Sequence, residues 1–339
     1  MIDVVVAGGG PTGVMLASEL RLHGVQVVVL ERDAEPSPIV RSLGLHARSI
    51  EIMDQRGLLE RFLALGQQYP LGGFFAGISK PAPDRLDTAH PYVLGIPQNI
   101  TDRLLAEHAA EVGAEIRRGR ELVGLSQDED GVTAELADGT RLGARYLVGC
   151  DGGRSLIRKT AGIAFSGWDS TISNLIAEVQ MTEEPPFGLR RDARGIHSLS
   201  KVEGGQAVGV LVTEQRPGRT DEPTMSDLSE TLISVYGTDF GLHSPTFISR
   251  FTDATRQAES YRNGRVLLAG DAAHVHYPVG GQGLNIGVQD AVNLGWKLAQ
   301  VVKKTSSDAL LDTYHAERHP VAAAVLRNTM AQVALFAYG

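Results

Sequence analysis

The chain has 339 residues, 42% of them hydrophobic, and its 32 Lys and Arg against 40 Asp and Glu give a formal net charge of −8. That is enough apolar material for two domains with cores of their own, while the acidic balance, relieved only by the short run Arg117-Arg118-Gly119-Arg120, argues against a nucleic-acid partner. No apolar stretch has transmembrane length, residues 1 to 7 start a strand with no room for a signal peptide, and the single cysteine, Cys150, excludes an intrachain disulfide, so a cytoplasmic protein without a membrane partner is expected.

The first element is the apolar strand Val4-Val5-Val6-Ala7, which runs into Gly8-Gly9-Gly10-Pro11-Thr12-Gly13 and then into a helical pattern of Val14, Leu16, Ala17 and Leu20. Glycines at 8, 10 and 13 permit a tight turn, close approach of a pyrophosphate to backbone N–H groups, and close packing of helix on strand. A second strand, Val27-Val28-Val29-Leu30, ends at Glu31, whose carboxylate can accept hydrogen bonds from an adenosine ribose. Together these predict a βαβ unit that binds an ADP moiety.

Further along, Ile100-Thr101-Asp102-Arg103-Leu104-Leu105 predicts a helix with Thr101 as N-cap, followed by strands broken at the turn Asp138-Gly139. Tyr146-Leu147-Val148-Gly149-Cys150 is a buried strand that ends in Asp151-Gly152-Gly153-Arg154-Ser155, readable either as a helix-capped turn or as part of a site. Between about 173 and 260 the pattern alternates, as in Leu175-Ile176-Ala177-Glu178-Val179 and Ala207-Val208-Gly209-Val210-Leu211-Val212. An antiparallel sheet with one helix near Asp227 to Val235 is expected there, with turns at Gly204-Gly205 and Arg216-Pro217-Gly218-Arg219. Arg265-Val266-Leu267-Leu268-Ala269 then returns as a buried strand closed by Gly270-Asp271-Ala272-Ala273-His274. Pro278-Val279-Gly280-Gly281-Gln282-Gly283-Leu284-Asn285 leads into a last helical pattern of Ile286, Ala291, Leu294 and Leu298.

The order of these three motifs resembles the class A FAD monooxygenases, the flavoprotein aromatic hydroxylases, over nearly the whole chain. The resemblance is strongest toward the rifampicin monooxygenases and the angucycline and anthracycline hydroxylases, through Arg41-Ser42-Leu43-Gly44-Leu45-His46-Ala47-Arg48 and Met53-Asp54-Gln55-Arg56-Gly57-Leu58-Leu59. The segments Leu71-Gly72-Gly73-Phe74-Phe75-Ala76-Gly77 and Asp87-Thr88-Ala89-His90 favour the rifampicin branch. It implies an α/β fold like that of para-hydroxybenzoate hydroxylase: a GxGxxG-type FAD-binding domain of residues 1–70, 98–172 and 260–339, with an inserted antiparallel-sheet substrate domain of residues 71–97 and 173–259. Relatives in these branches continue into a thioredoxin-like domain that this sequence does not contain, so the apolar end at Val333-Ala334-Leu335-Phe336-Ala337-Tyr338-Gly339 is read as a truncated, incomplete or naturally short chain.

The resemblance also implies the chemistry. NAD(P)H, NADPH by preference over NADH, reduces a noncovalent FAD, O2 adds at the flavin C4a position, and the hydroperoxide hydroxylates a large aromatic substrate. No side chain is required as a catalytic base. The cofactor contacts it implies are Gly8, Gly10, Pro11, Thr12 and Gly13 at the pyrophosphate, Glu31 and Arg32 at the ribose, Arg41, Gln98 and Arg103 at the pyrophosphate or ribityl region, and Asp151 in the second motif. In the third motif they are Asp271 at the ribityl phosphate and Pro278, Gly281, Gly283, Leu284 and Asn285 past the isoalloxazine. Phe74 and Phe75 are candidates for the substrate pocket. A biosynthetic angucycline or anthracycline hydroxylase, a drug-sequestering flavoprotein and a flavin halogenase compete with the rifampicin reading. The halogenase is disfavoured because Trp168 is followed by Asp169-Ser170 rather than a WxWxIP signature. His274-Val275-His276 and His315-Ala316-Glu317-Arg318-His319 look like metal ligands, but the acid of the second is misplaced for HExxH and Pro320 disfavours helical geometry at His319, so no metal is expected. The oligomeric state stays open, with a homodimer as one option.

Overall fold

The computed structural model describes residues 1–75, 78–80, 86–202, 205–215, 219 and 221–338, without the side chains of 73–75, 78–80 and 336–338. The turns expected at Gly204-Gly205 and at residues 216–219 fall largely outside the described residues. Two compact units emerge, one of Met1–Gly167 with Arg256–Gly339 and one of Trp168–Thr255. Residues 71–97, expected with the substrate domain, fall in the first unit, where Tyr92–Gly95 pairs with Gly44–Leu45 and Gln67–Pro70 in a small sheet.

The first unit is organised by the strand Ile2–Ala7, which lies between Arg141–Gly149 and Val27–Leu30 in a parallel arrangement. Val266–Leu268 extends the sheet beyond Arg141–Gly149, and Glu115–Arg117 extends it beyond Val27–Leu30. Continuous apolar runs suit this position because a parallel sheet covered on both faces offers no solvent side to alternate toward. Val4, Val5, Val6, Leu147, Val148 and Val266 through Leu268 are all at least 95% buried. The Pro11–Leu22 helix packs against the 21-residue helix Gln282–Val302, and glycines set how closely they approach. A Cβ on Gly295 would lie 2.5 Å from that of Glu19.

In the second unit five antiparallel strands run in the order Gly188–Asp192, Gly195–Lys201, Val208–Thr213, Ser173–Met181, Leu242–Thr252. Leu175, Ala177, Val179, Val210 and Val212 form one face and pack with Leu228, Leu232 and Val235 of the helix Met225–Tyr236. That helix starts with a capping box between Thr224 and Asp227 and stops at Gly237, whose φ of 84° suits a residue without Cβ.

Two boundaries differ from expectation. The helix expected to be capped by Thr101 begins instead at Gln98, after an extended Pro97, and Thr101 is buried in its first turns, because the Gln98 N–H is already bound by the Ser42 carbonyl. Pro320, expected to interrupt helical geometry, lies inside the helix Asp312–Tyr338. Burial of Tyr314, Ala322 and Leu326 and the bond from Gln257 Nε2 to the His319 carbonyl (2.8 Å) hold that helix across the missing N–H. Among the described residues no helix is long and apolar enough to cross a membrane.

One ion pair ties the Pro11–Leu22 helix to the residue that ends the helix Ala47–Gln55. Glu19, 2% exposed, accepts from Arg56 Nε (2.6 Å) and Nη2 (2.8 Å) in a two-pronged bridge across 37 residues. Arg56→Met should strand a buried carboxylate and lower unfolding free energy by about 3 kcal/mol, while double replacement of Glu19 and Arg56 by Gln and Met should recover part of it. Urea unfolding of the three proteins measures both, and an Arg56→Met variant within 0.5 kcal/mol of the parent would show the pair contributes nothing (an exposed pair contributes about that much).

Candidate functional site

The glycines of Gly8-x-Gly10-x-x-Gly13 divide into two kinds. Gly8 has φ of +109°, and a Cβ there would collide with the Cys150 carbonyl. A Cβ on Gly13 would collide with the Gly8 carbonyl. Those two permit strand and helix to close on each other. A Cβ on Gly10 would meet nothing within 4 Å, so its side of the turn is open, and the Pro11–Leu22 helix that it precedes has no side-chain cap. An open glycine before an uncapped helix start, with Pro11 in the first helical turn, is a cradle for an anion. Beside it, Glu31 Oε2 accepts from Gly9 N–H (2.7 Å) and Oε1 from Asp33 N–H (2.9 Å), which fixes the carboxylate at the strand end and leaves further lone pairs for a ribose. Arg32 faces solvent with Asp33 at 3.5 Å and takes no part in this cradle.

Thr12 is a spacer between elements. Its hydroxyl sits where a Cβ on Gly270 (2.7 Å away) or on Gly287 would have to go, so the late strand turn and the Gln282–Val302 helix both close on the first turn of the first helix. Gly270, at φ +62°, opens the short 3-10 turn Gly270–Ala272, and Asp271 is exposed on it. Behind that turn lies a buried charge cluster that the sequence did not reveal. Asp290 accepts from Arg318 Nε (2.7 Å) and from Gly270 N–H (3.2 Å) and pairs with His274 Nε2 (2.6 Å). Burial pushes the Asp290 carboxyl up, but His274 and Arg318 outweigh it and hold the net pKa low.

Asp151 acts as a helix cap. Its carboxylate accepts from the N–H groups of Leu156 (2.7 Å) and Ile157 (3.1 Å) and from the Ser155 hydroxyl, at the start of the Leu156–Thr160 helix. Arg158, also missed, reaches from this motif to the last one. Its two terminal nitrogens donate to the carbonyls of Ala272 (2.8 Å) and Gly153 (3.0 Å), and its guanidinium lies 3.6 Å from the Phe165 ring centroid.

Asn285 is a clamp rather than a ligand through its side chain. At 1% exposure its Oδ1 accepts from His46 N–H (2.8 Å) and its Nδ2 donates to the Gly281 (2.8 Å) and Gly44 (3.2 Å) carbonyls. It thereby stitches residues 44–46 to the start of the Gln282–Val302 helix, whose N-cap Gly281 has φ of 61° and no side-chain cap. Gly280 has open space, a Cβ on Gly281 would meet only His46 Nε2 at 3.8 Å, Pro278 is exposed, and Leu284 packs at the core edge. The same strap is held at its other end. Gln98 Oε1 accepts from Arg41 N–H (3.2 Å), and Gln98 also bonds Asp102. Burial lowers the pKa of the Arg41 guanidinium, with the Asp271 carboxylate opposing and the Arg154 charge adding to the lowering. Arg103 is not part of this group. It is spent on a surface ion pair with Glu107 one helical turn away (2.8 Å), which an acid at i+4 already signals in the sequence.

The side chains of Phe74 and Phe75 lie outside the described residues. In the second unit, the face turned away from Met225–Tyr236 carries Ile176 opposite Leu211 and Ser249, and Glu178 opposite Gly209 and Phe247, a half-buried mixture of apolar and polar groups. Among the described residues no group of three or more His, Cys, Asp or Glu could hold a metal ion. His315 and His319 lie with their rings tilted and 4.7 Å apart, and both contact Tyr261, His315 edge to face.

A family profile described as FAD binding domain matches residues 1–329. Over 99% of its length the chain is 57% identical to the rifampicin monooxygenase of Streptomyces venezuelae, spanning 72% of that protein. In solved structures it is similar to an anhydrotetracycline hydroxylase from Streptomyces rimosus (TM-score 0.92, 48% identity, 98% of this chain and 69% of that one). It is also similar to an aromatic hydroxylase from angucycline biosynthesis (TM-score 0.90, 41% identity, 99% of this chain and 69% of that one).

The helix Gln98–Glu111, which holds residue 41 through Gln98, carries a pH-dependent cost. Burial lifts Asp102 from 3.8 to about 6, against the pull of Gln98 and Arg118, and its Oδ1 has no hydrogen-bond partner. An acid whose pKa is raised on folding stabilises the fold in its protonated form, and this contribution is lost as pH rises from about 4 through 6. Asp102→Asn should therefore raise stability by about 1–3 kcal/mol at pH 7.5 and by nearly nothing at pH 4. Denaturant unfolding at both pH values checks this, and an equal effect at the two would show that the carboxylate carries no such cost.

Proposed function

We infer a substrate class from one premise: the chain belongs to the FAD-binding domain family of class A flavoprotein monooxygenases and is an FAD-dependent monooxygenase of an aromatic small molecule. We propose that the substrate is a rifamycin-type naphthohydroquinone. The observation that carries this is the 57% identity to a rifampicin monooxygenase, which extends over 99% of the chain and exceeds the identity to the tetracycline and angucycline enzymes.

The residues present fit the cofactor. The open Gly10 and the uncapped Pro11–Leu22 helix would take the pyrophosphate, Glu31 the adenosine ribose, Arg41 and Asp271 the stretch between pyrophosphate and ribityl chain, and the backbone from Gly281 to Leu284 the ring system. Bound there, FAD would supply the redox chemistry, taking two electrons from a nicotinamide donor, proposed as NADPH, and passing one oxygen atom of O2 to the aromatic ring. The protein's own part is binding and shape. Asn285 and Thr12 fix the backbone that the cofactor would rest on, the Asp290 cluster holds the Gly270 turn, and the half-buried face around Ile176, Leu211 and Phe247 is proposed to present an apolar surface with a few polar groups to the substrate. The half-buried, free Cys150, its thiol pushed up by desolvation, suits a reducing cytoplasm.

NADPH consumption by the FAD-loaded protein should rise at least tenfold with rifampicin, corresponding to about 1.4 kcal/mol off the limiting barrier, and less with anhydrotetracycline or a planar angucyclinone. NADH is run alongside. Acceleration by the tetracycline or angucyclinone alone would move the chain to that branch, and a rifampicin bound without any turnover would favour sequestration. Asp271→Ala should weaken FAD by about 10- to 100-fold, the value of a charge-assisted hydrogen bond. Unchanged affinity in an apoprotein titration would remove Asp271 from the site.

A further inference from the structure

Glu178 is a carboxylate to which the fold gives no work. In the strand Ser173–Met181, Leu175, Ala177 and Val179 are buried against the helix Met225–Tyr236, so by alternation Glu178 stands with Ile176 on the opposite face of the sheet. Among the described residues, every other buried or half-buried carboxylate of the second unit is bonded within the chain: Asp192 to Arg190, Glu214 to Arg250, Asp227 to Thr224, Asp239 to Ser229 and Asp253 to Thr171. Glu178 alone, half-buried, accepts no hydrogen bond and forms no ion pair with any of them.

Its surroundings say what would use it. Directly opposite Glu178 stand Phe247 on one neighbouring strand and Gly209, with no side chain, on the other, and Ile176 and Leu211 form the next pair along the same face. All of them are half-buried. Half exposure lets water satisfy the carboxylate, and it leaves room for a ligand oxygen to take that water's place. An aromatic ring system laid over Ile176, Leu211 and Phe247 would strip the water away. A deprotonated carboxylate can only accept, so such a ligand must bring a donor to that spot or leave the carboxylate unsatisfied.

We infer that Glu178 is a specificity-determining residue, accepting a hydrogen bond from a ring hydroxyl of the hydroquinone substrate and disfavouring the corresponding quinone. This rests on the substrate reading proposed above and adds to it a residue and an oxidation state. Removal of two electrons and two protons turns the two ring O–H groups into C=O, so a quinone sets an acceptor against the carboxylate where the hydroquinone sets a donor. The carbon skeleton and its apolar contacts stay the same, so the difference between the two ligands falls on this one group. The electron-rich hydroquinone is also the form that takes up an electrophilic oxygen atom, so the selection favours the reactive form.

The test is anaerobic equilibrium binding of rifamycin SV, the hydroquinone, and rifamycin S, its quinone, to the FAD-loaded parent, Glu178→Gln and Glu178→Leu. The parent should prefer the hydroquinone by about tenfold or more. Glu178→Gln, whose amide both accepts and donates, should bring the two affinities toward equality by gaining the quinone, and Glu178→Leu should lose about tenfold for the hydroquinone with no gain for the quinone. In turnover of rifamycin SV with NADPH the loss should fall on KM and leave kcat within about twofold, as for a group that binds the substrate equally before and during reaction. A hydroquinone-to-quinone ratio unchanged from parent to both variants would overturn the inference, as would parallel loss of both ligands, which would make Glu178 a structural residue. A parent that binds neither rifamycin while anhydrotetracycline accelerates its NADPH consumption would overturn the substrate reading itself, and the inference with it.

Discussion

The whole arrangement depends on how closely two backbone segments approach one side chain, Thr12. The turn at Gly270 and the helix at Gly287 both occupy space that any Cβ would deny them, and both abut the Thr12 hydroxyl. Packed interiors do not stretch to absorb an extra methyl group, so a contact of this kind leaves only one relative placement of the first helix, the last strand turn and the long helix. The exposed Asp271 and the open glycines at 10 and 280 inherit their mutual positions from it.

Close packing alone would leave the Gly270 turn free to pivot, and the buried charges prevent that. Asp290 bonds the Gly270 N–H while paired with His274 and Arg318, and Arg158 bonds the Ala272 carbonyl two residues on. Charges this deep are costly unless every partner is present, and a buried pair is a weak argument for stability. Their value here is geometric, since two of these bonds, from the Gly270 N–H to Asp290 and from Arg158 to the Ala272 carbonyl, end on the backbone of the turn that presents Asp271.

What could be read in the sequence was local. The strand, turn and helix of residues 2–22 and the glutamate at 31 show themselves by spacing within thirty residues, because sterics and helix-start chemistry act over that range. The clamp by Asn285, the Arg158 bridge and the Asp290 cluster join residues 114 to 241 positions apart or depend on neighbours from another element, so no period or motif announces them. Asp151 and Thr101 show the opposite limit. Both were readable as caps, and the structure gives that role to Asp151 but moves the helix start past Thr101, because a long-range bond from Ser42 claims the Gln98 N–H first. Arg103 is a cofactor contact by resemblance, while its acid at i+4 forecasts the surface ion pair with Glu107 that the structure shows.

The glycines of a fingerprint are usually given a single reason, and here they have two that pull on different properties. Gly8 and Gly13 are small because protein touches them, so replacing either attacks the fold. Gly280 has a backbone reason of its own in a φ of +77°, but Gly10, which meets nothing, and Gly283, near only His276 and Asp271, are small at a cost in chain entropy with no packing return inside the chain. A residue that loosens the unfolded chain and contributes nothing to the core persists in a motif for something outside the chain. That is the physical sense in which these positions, more than the charged ones, mark where a cofactor would lie.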